Sequence, residues 1–194
     1  MRELITSPES APLDLEKLFG RAAPLEVDLG CGDGVFLAAL AEQHPERNFL
    51  GIERMLGRLH GACRRAIEKN LTNVRLLRAE NACALRDFLG HDSVSVIHLL
   101  FPDPWPKRRH HRRRLVTEDF LAMAYRALIS QGVLRVATDD PDYFAQIMRL
   151  CTAFPQFEPD DAPFATQIPE TTFEKKFHHA GSAIHWLVLR KVPC

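Results

Sequence analysis

An apolar run that stops on three alternate glycines constrains this chain more than any other feature. Leu25-Glu26-Val27-Asp28-Leu29 is followed by Gly30-Cys31-Gly32-Asp33-Gly34. A short apolar stretch bounded by turn residues reads as a buried strand. Glycines in alternation let the chain turn sharply and let a ligand approach the backbone. Strand and helix patterns then alternate along the chain. Helices are expected over Val35 to Gln43, Leu56 to Asn70, Ala82 to Leu89, Thr117 to Ser130 (capped by Thr117) and Tyr143 to Cys151 (behind Pro141). Further strands are expected over Asn48 to Ile52, Val74 to Leu77, Ser93 to Leu100, Gly132 to Ala137 and Ala183 to Arg190. Residues 1–24, with Pro8, Pro12 and Pro24, read as a lead-in with a short helix at Leu13 to Phe19, and Pro155 to Pro169 as an irregular section. Such alternation implies an α/β fold, a mostly parallel sheet with helices on both faces, and residues 1–194 as one domain. Ligands of such sheets sit beyond the carboxyl ends of the strands, so the loops that follow the strands are where chemistry is expected.

Composition narrows the classes. Lys plus Arg equals Asp plus Glu, 25 each in 194 residues, so net charge does not point to nucleic acid and the placement of charges must decide. Five cysteines, odd in number and without a CxxC pair, argue against a disulfide framework or a zinc site and suit a reducing cytoplasm. His178, His179 and His185 have no Cys or Asp at ligand spacing, so no metal is expected. The start of the chain has no signal-peptide pattern, and no apolar stretch approaches the ~20 residues that a membrane helix needs. A monomer or a homodimer is compatible with all of this.

The glycine loop is not a dinucleotide fingerprint. In GxGxxG the third glycine falls where Val35 stands, one residue later than Gly34. The spacing Asp-x-Gly-x-Gly-x-Gly resembles motif I of the class I S-adenosylmethionine-dependent methyltransferases. That resemblance implies a Rossmann-like fold with a seven-stranded sheet and a methyl-donor site at Gly30, Gly32 and Gly34. The donor carries an ammonium and a sulfonium, which favour carboxylates nearby. Asp28 is placed to supply one. Glu53 ends the second strand, where a carboxylate can accept both ribose hydroxyls, and Asn81 follows the third strand, within reach of an adenine edge. Cys31 reads as a small filler and Trp186 as core.

The most specific stretch follows the fourth strand: Phe101-Pro102-Asp103-Pro104-Trp105-Pro106 and then Lys107 to Arg114, in which six of eight residues are Lys or Arg and the other two His. Three prolines stiffen the loop. A basic run of this density is unfavourable to fold unless anions visit, and phosphates are the natural visitors. Trp105 reads equally as a stacking surface and as a packing plug.

The run PDPWPKRRHHRRRL resembles the hallmark of the bacterial tRNA (guanine-N7-)-methyltransferases. Ala137-Thr138-Asp139 and Thr171-Thr172-Phe173-Glu174 match the same family, and the resemblance extends from about Leu25 to about Leu189 with the motifs in family order. It implies methyl transfer from S-adenosyl-L-methionine to N7 of the guanosine at position 46 of the tRNA variable loop. It further implies that Asp28, Glu53, Asn81 and Asp103 line the donor site, and that Lys107, Asp139 and the segment Thr171 to Glu174, including Phe173, contact tRNA. Guanine N7 attacks without a general base, so Asp103 is expected to act by stabilising the cationic product ring, aided by Asp139, while Glu174 is a candidate for reading the Watson–Crick edge. The rivals are a nicotinamide-dependent oxidoreductase, against which the third glycine argues, an amino-methylating enzyme, against which the basic tail argues, and a non-catalytic RNA-binding protein that retains the fold.

Overall fold

The structure is a computed structural model that describes residues 4–5, 11–160 and 168–192, without the side chains of 4, 5 and 178–180. Pro8, residues 161–167 of the Pro155 to Pro169 section, the side chains of His178 and His179, and Cys194 therefore lie outside the described residues. One sheet runs through the molecule in the order β1-β4-β3-β2-β5-β6-β8-β7. Its strands are β1 (Leu4–Ile5), β2 (Leu25–Leu29), β3 (Asn48–Ile52), β4 (Val74–Leu77), β5 (Val94–Leu100), β6 (Leu128–Thr138), β7 (Phe157–Pro159) and β8 (His185–Lys191). The pairs from β1 to β6 are parallel, and β8 is antiparallel to both β6 and β7. Seven strands were expected; β1, two residues at the β4 edge, makes an eighth.

The helices are α1 (Leu15–Phe19), α2 (Val35–Gln43), α3 (Leu56–Glu68), α4 (Asn81–Cys83), α5 (Glu118–Ala127), α6 (Pro141–Thr152) and α7 (Thr172–Ala180). Two cores result, one on each face of the sheet. Leu37, Leu40, Leu59 and Ala62 of α2 and α3 pack with Phe49 and Leu76 on one face. Phe120, Leu121, Tyr143 and Ile147 of α5 and α6 pack with Val27, Leu29, Leu50 and Ile52 on the other. Strands covered on both faces explain why every residue of β2 and β3 is buried. Glu26, on the α2 face, is buried as well. It meets the imidazole of His98 at 2.8 Å and accepts from Arg47 at 2.5 Å. Burial opposes its ionisation, but these hydrogen bonds and charges outweigh that and hold its pKa down at about 2.

Strand β7 lies in the section expected to be irregular, α7 was not expected, and two of the expected helices end or divide differently. The helix begun by Thr117, whose hydroxyl accepts from Phe120 N at 3.2 Å, ends at Ala127 rather than Ser130. Leu128 already pairs with Val94, and the next pairing is Val133 with Val96, so the chain bulges between them. Gly132 permits the bulge, because a Cβ there would lie 2.8 Å from the Ile129 carbonyl oxygen. The helix expected over Ala82 to Leu89 is split into α4 and a π-helical turn, Ala84–Phe88.

The register fixes the site. Asp28 pairs with Gly51 and Leu29 with Ile52, and the amides of Gly30 and Cys31 both donate to the Ile52 carbonyl, at 2.8 and 2.9 Å. The ends of β2 and β3 are thereby tied together. Gly51 makes room for the glycine loop, since a Cβ there would meet Leu37 Cδ2 at 2.6 Å, Cys31 Sγ at 2.8 Å and Leu76 Cδ2 at 2.8 Å. Gly51→Ala is expected to lower stability by about 1–3 kcal/mol through overpacking, seen as a lower urea midpoint with an unchanged slope. An unchanged midpoint would show that the loop can move aside.

Candidate active site

A cleft of about 730 Å³ opens where β2, β3, β4 and β5 end. Of the residues singled out in the sequence, the structure brings Asp28, Gly30, Gly32, Glu53, Asn81, Asp103, Thr171 and Phe173 around it. Gly34, Lys107, Asp139 and Glu174 are not in its lining.

Asp28 and Glu53 form the floor, 4% and 6% exposed. Burial first, and then the charge of Glu53, push the Asp28 carboxyl up to about 7. Glu53 accepts from Met55 N at 2.8 Å, and among the described residues neither carboxylate is paired with a Lys, Arg or His. Gly30 and Gly32 have φ of +85° and +57°, where a side chain is strained, and they leave the wall of the cleft as bare backbone. Gly34, the N-cap of α2, shares the left-handed backbone at φ +73° and adds a second need: a Cβ on it would meet Ala62 Cβ at 2.7 Å, so it also admits the close approach of α3. The Cys31 thiol is buried beside the two acids, and burial raises its pKa well above the ordinary range. It is held as a neutral thiol, consistent with a filler.

The proline loop forms the next wall. Phe101 and Trp105 have φ of +54° and +46°, a left-handed conformation that costs bulky residues on the order of 1–3 kcal/mol each. Contacts hold them there. Phe101 N donates to the Ala137 carbonyl at 2.8 Å, and its ring sits among Phe173 (6.0 Å), Phe177 (5.4 Å) and Trp186 (6.2 Å). Trp186, expected in the core, is half-buried against this cluster. Trp105 is half-buried too, with the Arg113 guanidinium 4.9 Å over its ring and His110 edge-on at 5.8 Å. Asp103, between Pro102 and Pro104, is exposed at the cleft.

The basic run folds into a 3-10 helix, Arg108–Arg113, with Lys107, Arg108, Arg109, Arg112 and Arg113 exposed. Arg114 is the exception. It is buried, donating to the Pro104 carbonyl, Gln146 and Asp142. The sequence did not distinguish it from its neighbours. Arg54 and Arg58, which the sequence reading passed over, also reach the cleft, Arg58 from the first turn of α3. The absence of any acid in that turn is the signal that would have drawn notice, because a helix N-terminus favours negative charge.

The Thr171 to Glu174 stretch closes the far side. Thr171 N donates to Glu174 Oε2 at 2.6 Å, and Glu174 N donates to Thr171 Oγ1 at 3.0 Å. This reciprocal capping box starts α7 and presents Phe173, 43% exposed, to the cleft. One oxygen of Glu174 is thus engaged by the backbone. Asp139 is half-buried just past the end of β6, beside Asp140, which caps α6 by accepting from Tyr143 N at 2.7 Å.

Comparison with known proteins bears on this arrangement. Residues 22–187 match the Methyltransf_4 family, described as "Putative methyltransferase". A tRNA (guanine-N(7)-)-methyltransferase of Leifsonia xyli subsp. xyli is 42% identical over 189 residues, covering 93% of this chain and 82% of that protein. Proteins of the same name from Halorhodospira halophila and Mycobacterium ulcerans are 35% and 36% identical over 96% and 93% of this chain, and 83% and 67% of their own lengths. Among solved structures, the 16S rRNA methyltransferase KamB superposes with a TM-score of 0.67 at 17% identity over 93% of each chain, and the aminoglycoside resistance methyltransferase NpmB1 with 0.65 at 20% over 92% of each. Those two likenesses show the fold, a Rossmann-like methyltransferase sheet. The match over residues 22–187 and the identity to proteins of one name together show that this chain belongs to the tRNA (guanine-N(7)-)-methyltransferase family.

Proposed function

We propose that this chain is a cytoplasmic enzyme that transfers a methyl group from S-adenosyl-L-methionine to N7 of the guanosine at position 46 in the tRNA variable loop. One observation carries the reading. Asp103 and Trp105 of the proline loop border the same cleft as the buried carboxylates Asp28 and Glu53, and an exposed basic turn adjoins it. The names of the relatives supply the substrate class.

The residues present fit the donor. Two buried carboxylates without a cationic partner suit a ligand that brings its own positive charge, and a cleft of about 730 Å³ lies within the usual range for small-molecule sites. Bound there, S-adenosylmethionine would supply an electrophilic methyl carbon on its sulfonium. Asp28 holds cationic groups, Glu53 the ribose hydroxyls and Asn81 the adenine edge.

Guanine N7 brings a lone pair and no proton, so no side chain need act as a base. The purine would become cationic as its new C–N bond forms and the methyl–sulfur bond of the donor breaks, the bonding pair staying on sulfur as a neutral thioether. A carboxylate at Asp103 stabilises that charge more than it stabilises the neutral ring, which is what accelerates a reaction. Asp139 adds negative charge from the end of β6. Thr171 and Glu174 act through their capping box, which places Phe173 at the cleft. Lys107 and the exposed arginines of the 3-10 helix grip phosphates. The groove of double-stranded RNA hides N7, so the target is a loop nucleotide or one drawn from its stack.

The test is to incubate the protein with methyl-labelled donor and unmodified tRNA and to map the label. Label on N7 of guanosine 46 is expected; label elsewhere, or none, refutes the reading. Asp103→Ala is expected to lower transfer by about 100-fold or more while donor affinity changes far less. Near-normal transfer by that variant would remove Asp103 from the mechanism.

Asp28 gives a pH signature. Its carboxyl is pushed up to about 7, so the ligand-free fold binds a proton that the unfolded chain releases. Stability of the ligand-free protein therefore falls as pH rises from the ordinary carboxylate range through about 7. Affinity for the cationic donor should instead strengthen over the approach to pH 7, by up to about tenfold per pH unit, and level off above it. Asp28→Asn is expected to flatten that profile, weaken binding and raise the thermal midpoint of the ligand-free protein at pH 8. A profile identical to wild type would show that Asp28 does not meet the donor.

A further inference from the structure

Among the cations of the basic run, Arg114 alone is turned inward, 3% exposed. Its Nε donates to the carbonyl of Pro104, the residue after Asp103, at 2.7 Å. Its Nη1 donates to Gln146 Oε1 and its Nη2 to Asp142 Oδ2, each at 2.7 Å. The guanidinium also lies 4.8 Å over the ring of Tyr143. Asp142, Tyr143 and Gln146 all belong to α6, the helix that Asp140 caps one residue after Asp139. The Tyr143 hydroxyl in turn accepts from Val116 N at 3.0 Å. Hydrogen bonding to Arg114 holds the Asp142 carboxyl below its ordinary range.

We infer that Arg114 is a positioning residue: its guanidinium fork bolts the Pro102–Pro106 loop to α6 and so fixes Asp103 at the edge of the cleft. The inference rests on the proposed reaction. A planar fork with fixed donor directions can satisfy three acceptors on two elements at once, which an ammonium on a flexible stem cannot do. The loop needs such a bolt, because Trp105 lies in the left-handed region on the far side of Pro104 and would relax if released. Prolines stiffen the loop internally but do not attach it to the rest of the fold. Arg114 does attach it, from ten residues down the chain, and does so without entering the cleft.

The test uses Arg114→Lys, which retains the charge but not the fork, and two variants outside the cleft, Gln146→Ala and Asp142→Asn, which strip partners from the α6 side. The proposal expects kcat for tRNA methylation to fall by roughly tenfold to a hundredfold in Arg114→Lys, and by less in the other two, with donor affinity and KM for tRNA within about threefold of wild type. In an Asp103→Ala background, Arg114→Lys should lower kcat no further, because the residue acts through Asp103. A second readout needs no turnover. The chain has two tryptophans, so in Trp186→Phe the remaining emission is that of Trp105, and Arg114→Lys should make it about twice as accessible to acrylamide. Unchanged kcat and unchanged quenching in Gln146→Ala and Asp142→Asn would overturn the proposal even if Arg114→Lys does not fold. So would effects of Arg114→Lys and Asp103→Ala that simply multiply. A wild-type protein that methylates no guanine N7 would overturn the proposed function itself, and this inference with it.

Discussion

Asp28 and Glu53 lie at the ends of adjacent parallel strands, and among the described residues neither is paired with a Lys, Arg or His; much of the architecture follows from that placement. Parallel pairing in register brings the ends of β2 and β3 to one edge, and the shared Ile52 carbonyl prevents them from splaying. Two acids held so near each other in a buried place oppose folding. The opposition is met by the aliphatic layers on the two faces of the sheet, not by local ion pairs. A chain organised in this way is less stable without its ligand than a similar chain with the acids removed, which is the usual relation between a prepared site and its scaffold.

The walls of the cleft use three different devices for holding a loop still. The glycine loop is held by backbone hydrogen bonds and by close packing that admits no Cβ at Gly34 or Gly51. The proline loop is held by an aromatic cluster at Phe101 and by a buried cation at Arg114. The Thr171 to Glu174 segment is held by a cap made of its own residues. The first two are anchored in the cores. The third adds to its own cap the packing of Phe173 and Phe177 on Phe101, so it is tied to the proline loop.

Strands β2, β3 and β4 and helix α2 run over the residues that the sequence suggested, because each is an apolar stretch cut off by glycine, proline or a polar turn. The cleft acids Asp28 and Glu53 were legible for the same reason, because strand ends can be read and polar residues there counted, whereas Asp103 was legible from the proline loop that carries it. What could not be read was three-dimensional. Arg114 looks like every other arginine in its run until Pro104, Asp142 and Gln146 are seen around it. Strand β7 has three residues and no period to detect. Helix α7 carries only Phe173 and Phe177 as an apolar stripe among its described side chains, too little to reveal a helix, although the Thr-x-x-Glu box that begins it caps one. Glu26 was read as part of a buried strand, but its partner His98 lies on β5 and gave no sign of itself.

The order β6-β8-β7 has a consequence for how the molecule is made. β8 inserts between two strands that precede it in the chain, and it supplies the buried side chains Leu187, Val188 and Leu189. While a ribosome is still adding residues ahead of His185, β7 has no neighbour to pair with and the outer edge of β6 is bare. The donor-side strands can associate during synthesis, but that half of the sheet must wait for late-emerging residues, and in the interval a naked edge is open to pairing with another nascent chain.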